Sequence, residues 1–295
     1  MSARKISVII PTLNASAYID NLITRLNSQT IKPNEIVVVD SQSDDDTVGR
    51  CRKYDNVRII EILRKDFDHG GTRDMALKTC DSDFVLFTTQ DAVPNNEHYI
   101  ENLLKPFEDR EVAIASGRQI ARDDAWPMEK LVREFNYPAV SHVRSKSDLQ
   151  EYGIKTYFFS DVCAAYRKDI YEKLGGFEHP LKTNEDMFYA ARVIENGYKI
   201  AYAAEAEVIH SHNFTLKEQY KRNVIIGTEI ERHRALLNGV STDAEGMKLV
   251  KYVVPRLLKQ GKIFQFIRFG LDCCARKLGN TVGRRKLKKQ MKQVC

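Results

Sequence analysis

Short apolar runs that end at polar residues recur through the first third of the chain. Those with the length and β-branched content of buried strands are residues 5–10, 35–40, 57–63 and 83–88. The intervening segments with the apolar spacing and capping residues of helices are 17–28, 47–54 and 69–80. Strands that alternate with helices at this spacing predict βαβ units and a parallel sheet.

The pattern becomes less regular after Pro94. Further helices are predicted at 97–107, 168–174, 183–195 and 215–237, with an irregular helical stretch at 123–145. Further strands are predicted at 112–117, 156–159, 162–166, 199–202 and 207–210. We expect a catalytic domain over residues 1–240, with halves at about 1–118 and 119–240, and a helical tail over 241–295.

Charge is distributed unevenly. Residues 248–295 hold 14 of the 46 Lys and Arg residues and one of the 40 acids, so the remainder carries 32 basic and 39 acidic side chains. A basic tail on an acidic body predicts an anionic partner for the tail.

No apolar run reaches the length of a membrane span, and the apolar N-terminal run reads as a first strand. The six cysteines show no CxxC pair and favour reduced thiols in a cytoplasmic protein.

Carboxylates stand at the ends of two predicted strands. Asp40 closes strand 35–40, and Asp91 follows strand 83–88. Ligands bind at the carboxyl ends of strands in open α/β sheets, so Asp91 is predicted to place a hard oxygen ligand in a site. Neither G-x-G-x-x-G after the first strand nor G-x-x-x-x-G-K-[ST] occurs, so the usual dinucleotide and P-loop signatures are absent.

Five motifs occur in order along the chain: VIIPTLNA at 8–15, IVVVDSQSDDDT at 36–47, TTQDAVP at 88–94, SDVCAAYRKDIYEKLGGF at 160–177 and NEDMFYAARVIENGYKIAY at 184–202. With these motifs the chain resembles the family-2 glycosyltransferases, which have the GT-A fold. FDHGGTRD at 67–74 followed by TTQDA resembles the rhamnosyltransferase branch, which uses dTDP-L-rhamnose. The resemblance spans about residues 5–215. It implies an α/β protein with a Rossmann-like, mostly parallel sheet flanked by helices.

The same resemblance implies a set of residues that bind the nucleotide-sugar donor. They are Pro11, Asn14 and Asp40 for the base and ribose, His69, Gly70 and Arg73 for the diphosphate or sugar, and Gln90 beside them. The chemistry agrees, because a carboxylate accepts a base N–H or a ribose hydroxyl. A helix N-terminus and an Arg both suit diphosphate oxygens. A surface Arg and a loop His are the alternative for residues 69–73.

Asp91 matches the metal-binding acid of the family's D-x-D motif, whose first Asp is replaced here by Gln90. One carboxylate with diphosphate oxygens and waters still suits Mg²⁺ or Mn²⁺. The family often supplies a late His, which predicts His210 or His212 as a second protein ligand and would favour Mn²⁺. A His pair that caps a strand end is the alternative.

Two acids at a predicted helix start match the family's catalytic-base motif. The match assigns the base to Asp186, and the neighbouring Glu185 either shares the site or stabilises the helix N-terminus. The predicted acceptor wall is formed by Trp126, Tyr157, Ser160 and Asp161, with a core position as the alternative for the two aromatic residues.

These expectations combine into an inverting, metal-dependent glycosyltransferase that moves L-rhamnose from dTDP-β-L-rhamnose to a glycan or lipid-linked glycan of a bacterial surface polysaccharide. Transfer from a UDP-hexose or UDP-HexNAc, nucleotidyl transfer, and a non-catalytic nucleotide- or anion-binding module are the alternatives. Basic and apolar residues interleave in the tail, which predicts an anionic membrane surface as partner and a peripheral place on the inner face of the cell membrane. Packing on the catalytic domain, homo-oligomer formation and nucleic-acid binding are alternatives for the tail, with no nucleic acid expected.

Overall fold

The computed structural model of the protein describes residues 4–237 and 243–294. The strands are β1 Ile6–Thr12, β2 Glu35–Asp40, β3 Val57–Glu61, β4 Phe84–Thr88, β5 Val93–Pro94, β6 Val112–Ile120, β7 His142–Arg144, β8 Cys163–Arg167 and β9 Lys199–Ile209. The helices are α1 Ile19–Asn27, α2 Thr47–Cys51, α3 His69–Lys78, α4 Tyr99–Leu104, α5 Pro127–Asn136, α6 Leu149–Tyr152, α7 Lys168–Lys173, α8 Glu185–Glu195, α9 Leu216–Arg232, α10 Asp243–Lys259 and α11 Ile263–Val294.

One mixed sheet organises the molecule. Its order is β3-β2-β1-β4-β8-β6-β9-β5, and β7 also pairs with β9. Strands β1 to β4 are mutually parallel, β8 is antiparallel to both β4 and β6, and β6 is parallel to β9. The two antiparallel pairings of β8 make β9 run in the same direction as β4. The carboxyl ends of β4 and β9 therefore lie at the same edge.

Helices cover both faces of the sheet. On one face α1 and α4 pack against β1 and β4 through residues such as Leu22 and Leu103. On the other face α3 and α8 pack through residues such as Leu77 and Phe188. Both faces of the central strands are buried, as the alternating neighbours Ile9 and Ile10 show. This explains their nearly continuous apolar sequence.

The structure corrects several predicted elements. Strand β7 lies inside the segment 123–145 that was predicted to be helical, and the predicted strand 156–159 begins within a 3-10 helix, Gly153–Tyr157. The two short strands predicted over 199–210 are one strand, β9. In each case pairing or burial decides: β7 gains hydrogen bonds from β9, and the side chain of Tyr157 is buried without an extended backbone.

The basic tail folds as α10 and α11, and α11 packs along α9 at very short distance. A Cβ added at Gly227 of α9 would lie 2.2 Å from the Asn280 carbonyl oxygen, and one at Gly283 of α11 would lie 2.1 Å from the Val224 carbonyl oxygen. Only glycine permits this approach of two helix backbones. The predicted boundary at residues 240 and 241 lies outside the described ranges. No helix in those ranges is long and apolar enough to cross a membrane.

Candidate active site

A cleft of about 630 Å³ opens where β4 and β9 end and α8 begins. Predicted site residues that line it are His69, Arg73, Gln90, Asp91, Ser160, Asp161, Glu185, Asp186, His210 and His212. The sequence separates these residues by more than 100 positions. The common edge of two strands that run in the same direction brings them together, as the strand-end argument predicts.

Asp91, His210 and His212 form a compact group of possible metal ligands. One ligand atom from each lies within 4.8 Å of the others. The Nε2 atoms of His210 and His212 are 3.6 Å and 3.5 Å from separate oxygens of the Asp91 carboxylate. These distances are longer than a typical hydrogen bond. They match the distance between two ligand atoms of one cation, each about 2.0–2.2 Å from the ion.

The neighbours of His210 fix which ring nitrogen carries the proton. Arg133 donates to Oε1 of Gln119, so this oxygen is the acceptor end of the amide. The same oxygen lies 3.1 Å from Nδ1 of His210, which must therefore donate. In the neutral ring Nε2 then turns its lone pair toward Asp91, as a metal-binding histidine does. Burial lowers the pKa of His210 well below its usual value, which favours the neutral ring.

Asp186 lies at the first turn of α8 and lines the same cleft as the metal-ligand group. Its two carboxylate oxygens accept hydrogen bonds from the backbone N–H groups of Asp161 (3.1 Å) and Met187 (2.7 Å). Burial, followed by the charge of Glu185, raises the pKa of Asp186 to about 6. A carboxylate that is held in place and has a pKa near neutrality suits a general base.

Arg73, which is predicted to bind the diphosphate, takes part in a buried ion-pair network. Its Nη1 donates to Glu185 Oε1 at 3.1 Å, and its Nε is 3.6 Å from Asp161 Oδ2. Only 5% of the Arg73 side chain is exposed, and two acidic side chains lie against its guanidinium. Arg73 and Glu185 therefore connect α3 to the start of α8 and hold Asp186 in position. His69, at the rim, is 3.8 Å from Glu185 and has a pKa that burial lowers to about 4.

Gln90 explains the departure from D-x-D. Its Oε1 accepts from the Leu13 backbone N–H at 2.8 Å, and its Nε2 donates to the Leu13 carbonyl at 3.1 Å. An Asp at this position has no donor and would leave the carbonyl without this bond. The amide thus joins the loop after β4 to the loop after β1, and both its functional ends are occupied.

The loops after β1 and β2 are joined by side chains that were predicted to touch the donor. The Asp40 carboxylate is buried and accepts from Ser43 N–H (2.8 Å), Ser43 Oγ (2.5 Å) and Thr12 Oγ1 (3.1 Å). Asn14 has φ = 52° and accepts from the Asp44 N–H at 2.8 Å. Asp40 therefore joins the two loops through three hydrogen bonds, which use three of the roughly four acceptor sites of its carboxylate. Pro11 lies within β1 in register with Val39.

Three more predicted contacts lie away from the cleft lining. Gly70 allows α3 to pack closely against the backbone of Glu178, because an added Cβ would lie 2.7 Å from the Glu178 carbonyl oxygen. Tyr157 is fully buried and its hydroxyl bonds Glu195 at 3.1 Å. Trp126 begins α5 and packs under Arg268 of α11, 5.0 Å from the ring centroid. The contacts of Tyr157 and Trp126 are those expected from the alternative of a core position for the two aromatic residues.

The cleft also has residues that sequence reasoning did not single out. They include Gln119, Arg133, Asn184, Phe214, Arg222 and Arg276. Asn184 adopts φ = 65° immediately before Glu185, a left-handed conformation that sets the direction of α8 and is typical of functional sites. Arg222 and Arg276 come from α9 and α11. No single-sequence signal separates them from the many other basic residues of those helices.

A half-buried carboxylate and a group of possible metal ligands in one cleft at the carboxyl edge of an α/β sheet are typical of an enzyme class that activates a hydroxyl. The sequence model of glycosyl transferase family 2 matches residues 7–175. The chain is also 41% identical to an O-antigen chain rhamnosyltransferase, RfbN, of Salmonella typhimurium, over 95% of this chain and 90% of that protein. A second such protein, WbaN of Salmonella anatum, is 40% identical over 94% of this chain and 89% of its own.

Solved structures show the same architecture. A mannosyltransferase from Pyrobaculum calidifontis, in complex with GDP-Man and Mn²⁺, superposes with a TM-score of 0.67 at 15% identity, over 96% of this chain and 88% of that one. TarS residues 1–349 of Staphylococcus aureus, in complex with UDP-GlcNAc, gives 0.59 at 18% identity, over 98% and 92%. The chain belongs to glycosyltransferase family 2 and has the GT-A fold.

Proposed function

We propose that this glycosyltransferase moves L-rhamnose, with inversion, from dTDP-β-L-rhamnose to a hydroxyl of a glycan acceptor in bacterial surface polysaccharide synthesis. The names of the two Salmonella relatives at 40–41% identity support rhamnose and a polysaccharide acceptor. The observation that carries the chemistry is the position of Asp186 in the same cleft as Asp91, His210 and His212.

Asp186 is the proposed catalytic base. It takes the proton of the acceptor hydroxyl while that oxygen forms a bond to the anomeric carbon. The bond from that carbon to the diphosphate breaks, and its electron pair leaves on dTDP. Attack from the face opposite the diphosphate converts a β donor to an α-L-rhamnoside. Two backbone hydrogen bonds fix the direction of the carboxylate before the acceptor arrives.

Arg222 replaces Arg73 as the proposed cation for the departing diphosphate. Its side chain is exposed in the cleft lining, with Cζ 5.3 Å from the Phe214 ring, and that ring lies 5.0 Å from His212. Within residues 4–237 and 243–294 Arg222 forms no ion pair, whereas Arg133 pairs with Glu129 and Arg276 with Asp272. A guanidinium without a carboxylate partner is available for phosphate oxygens.

Asp91, His210 and His212 are the proposed residues that hold a divalent cation. When bound, such a cation supplies positive charge that stabilises the leaving diphosphate. A carboxylate with two imidazoles favours Mn²⁺ over Mg²⁺, because imidazole suits transition metals better. The Mn²⁺ of the Pyrobaculum neighbour is in keeping with this choice.

Peripheral membrane attachment is the proposed role of one face of α11. Side chains at helical spacing form an exposed apolar stripe there: Phe264, Ile267, Leu271, Cys274 and Leu278. Phe264 is 88% exposed. Lysines 259, 262 and 277 beside the stripe are also exposed. An apolar stripe with lysines alongside fits the interface of an anionic bilayer, where a lipid-linked acceptor would be found.

A donor assay tests the proposal. Purified protein is incubated with Mn²⁺, a lipid-glycan extract as acceptor source, and one donor at a time: dTDP-β-L-rhamnose, UDP-glucose or UDP-GlcNAc. We expect acceptor-dependent release of dTDP and little release of UDP. Efficient use of a UDP-sugar without use of dTDP-rhamnose would contradict the proposal and support a UDP-hexose or UDP-HexNAc transferase of the same fold.

A further inference from the structure

A second cavity of about 170 Å³ lies beside the active-site cleft. Segments that are distant in sequence enclose it: the end of α5, strand β7, the segment between α6 and β8, strand β9 and the start of α10. None of the predicted donor, metal or catalytic residues lines it. Its walls combine two kinds of chemistry, cationic and aromatic.

The cationic wall contains Lys155, Arg144 and Lys248, and Glu245 is the one acid among the described residues of the lining. Glu245 pairs with Lys248 at 2.6 Å. Lys155 donates to Asn136 Oδ1 at 3.0 Å and forms no ion pair within residues 4–237 and 243–294. Two positive charges, on Lys155 and Arg144, are therefore left without a carboxylate in the cavity.

Aromatic rings form the rest of the wall. The Lys155 ammonium lies 4.4 Å from the Phe158 ring centroid and 5.2 Å from that of Phe135. The guanidinium of Arg144 lies 4.5 Å from the ring of Tyr152. Tyr202 adds a further ring. Cations fixed over aromatic faces keep their charge in place without a counter-ion, and ring faces are surfaces on which sugar rings stack.

Burial removes part of the water around the Lys155 ammonium group. It lowers the pKa of Lys155 to about 8, with Arg144 and Lys248 acting in the same direction and Glu245 opposing them. An ammonium ion that is partly desolvated gains more from an incoming anion than one in bulk water does.

The cavity adjoins the active-site cleft, because Asn136 and Phe158 line both. Tyr137 and Ser160 also line the cleft, and Ser160 is a predicted acceptor residue. A chain-like acceptor with its reacting hydroxyl at Asp186 can therefore extend along this wall.

We propose that the second cavity is an acceptor subsite for a glycosyl phosphate, with the phosphate at Lys155 and Arg144 and the sugar ring against Phe158 and Phe135. The proposal deepens the proposed function and rests on it, because only that function makes the bound ligand an acceptor. The phosphate-linked end of a lipid-linked glycan has this chemistry, and inorganic phosphate shares only the anionic part.

The test is ligand binding to the full chain, with dTDP and Mn²⁺ present to occupy the donor site. The probes are α-D-glucose 1-phosphate, glucose and inorganic phosphate, followed by calorimetry and saturation-transfer NMR. The variants are Lys155→Gln and Arg144→Gln, with Lys155→Arg as the conservative form and exposed Lys53→Gln as the matched control. Thermal unfolding checks that each variant is folded.

We expect glucose 1-phosphate to bind more tightly than either glucose or phosphate. Each substitution that removes a cation should weaken the binding of glucose 1-phosphate at least tenfold, which is the effect expected from the loss of about one charge-assisted hydrogen bond. Lys155→Arg should restore most of the affinity, and Lys53→Gln should change nothing. Equal affinity of folded Lys155→Gln and the unsubstituted chain, or equal binding of glucose and its phosphate, would overturn the subsite. Binding of phosphate as tightly as glucose 1-phosphate would overturn its saccharide part.

The outcome is separable from that of the proposed function, because no sugar transfer is measured. Lys155-dependent binding without any use of dTDP-rhamnose would leave the subsite standing and contradict the donor assignment. Transfer from dTDP-rhamnose with no effect of Lys155→Gln on binding would support the donor assignment and overturn the subsite.

Discussion

Asp186 illustrates how a single residue acquires its chemistry from its surroundings. Burial and the nearby Glu185 charge raise its pKa, while two backbone donors oppose that rise and fix its direction. Arg73 donates a hydrogen bond to Glu185 at 3.1 Å and holds it in place. The base is thus adjusted by residues that do not contact the substrate in this account.

Replacement of Asp186 by Asn should lower kcat by about 10²- to 10⁴-fold while nucleotide binding is retained, because only proton removal is lost. Asp55→Asn, an exposed acid elsewhere, is the control. In the unsubstituted enzyme kcat/KM should rise as the pH increases through about 6, since the carboxyl must lose its proton to act as a base. A profile that is flat from pH 5 to 8, or full activity of Asp186→Asn, would remove the assignment.

The metal group makes a second prediction at this scale. His212→Ala should weaken Mn²⁺ binding by about 10- to 100-fold, measured by the EPR signal of free Mn²⁺ in the presence of dTDP. His98→Ala is the matched control, because His98 is an exposed His that lines no part of the cleft. Chelation of the metal should abolish transfer. Unchanged Mn²⁺ affinity of His212→Ala would show that this histidine is not a ligand.

At the scale of elements, the contact between α9 and α11 connects the tail to the catalytic cleft. Both helices contribute a cleft Arg, and glycines allow their backbones to approach. A disturbed contact should therefore affect both stability and the site.

Gly283→Ala should lower the free energy of unfolding by about 1–3 kcal/mol, because its Cβ would lie 2.1 Å from the Val224 carbonyl oxygen. Gly270→Ala on the same helix has open space around the new Cβ and should leave stability unchanged or raise it by about 0.5–1 kcal/mol. Urea unfolding measures both. Equal effects of the two substitutions would contradict the close packing.

Sequence periodicity predicted the elements in the first third of the chain because strand and helix signals alternate there without interruption. It missed the 3-10 helix Gly153–Tyr157, since Thr, Tyr and Phe favour strands until tertiary packing decides otherwise. Motif matching placed Asp186, Asp91 and the two histidines in one cleft. It predicted that Arg73 binds the diphosphate. The sequence does not reveal that Glu185, 112 positions further along the chain, lies 3.1 Å from Arg73 in space.

Asp40 shows the same limit. A carboxylate after a strand has the same sequence signature whether it faces a ligand or accepts hydrogen bonds from the next loop. Here Ser43 and Thr12 use both oxygens. Arg222 was missed for the converse reason: only the structure reveals that it forms no ion pair with a described residue while Arg133 and Arg276 do.

At the scale of the whole molecule, the apolar stripe of α11 predicts attachment to anionic membranes. The double substitution Phe264→Ser with Ile267→Ser should weaken binding to phosphatidylglycerol-containing vesicles by more than tenfold, since burial of each side chain contributes about 1.5–3 kcal/mol. Val140→Ser is the control, because Val140 is 71% exposed and lies outside α11. Vesicle sedimentation gives the affinities. Equal binding by the double variant and the control would contradict an interfacial role.

The central claim is inverting transfer of L-rhamnose, and the anomeric configuration of the product tests it most directly. The full chain is given dTDP-β-L-rhamnose, Mn²⁺ and lipid-linked acceptor, and the glycan released from the product is analysed by the one-bond carbon–hydrogen coupling of the new anomeric centre. The account predicts one added α-L-rhamnosyl residue whose formation requires Asp186. A β-linked rhamnose, or a different sugar incorporated while dTDP-rhamnose remains unused, would contradict it.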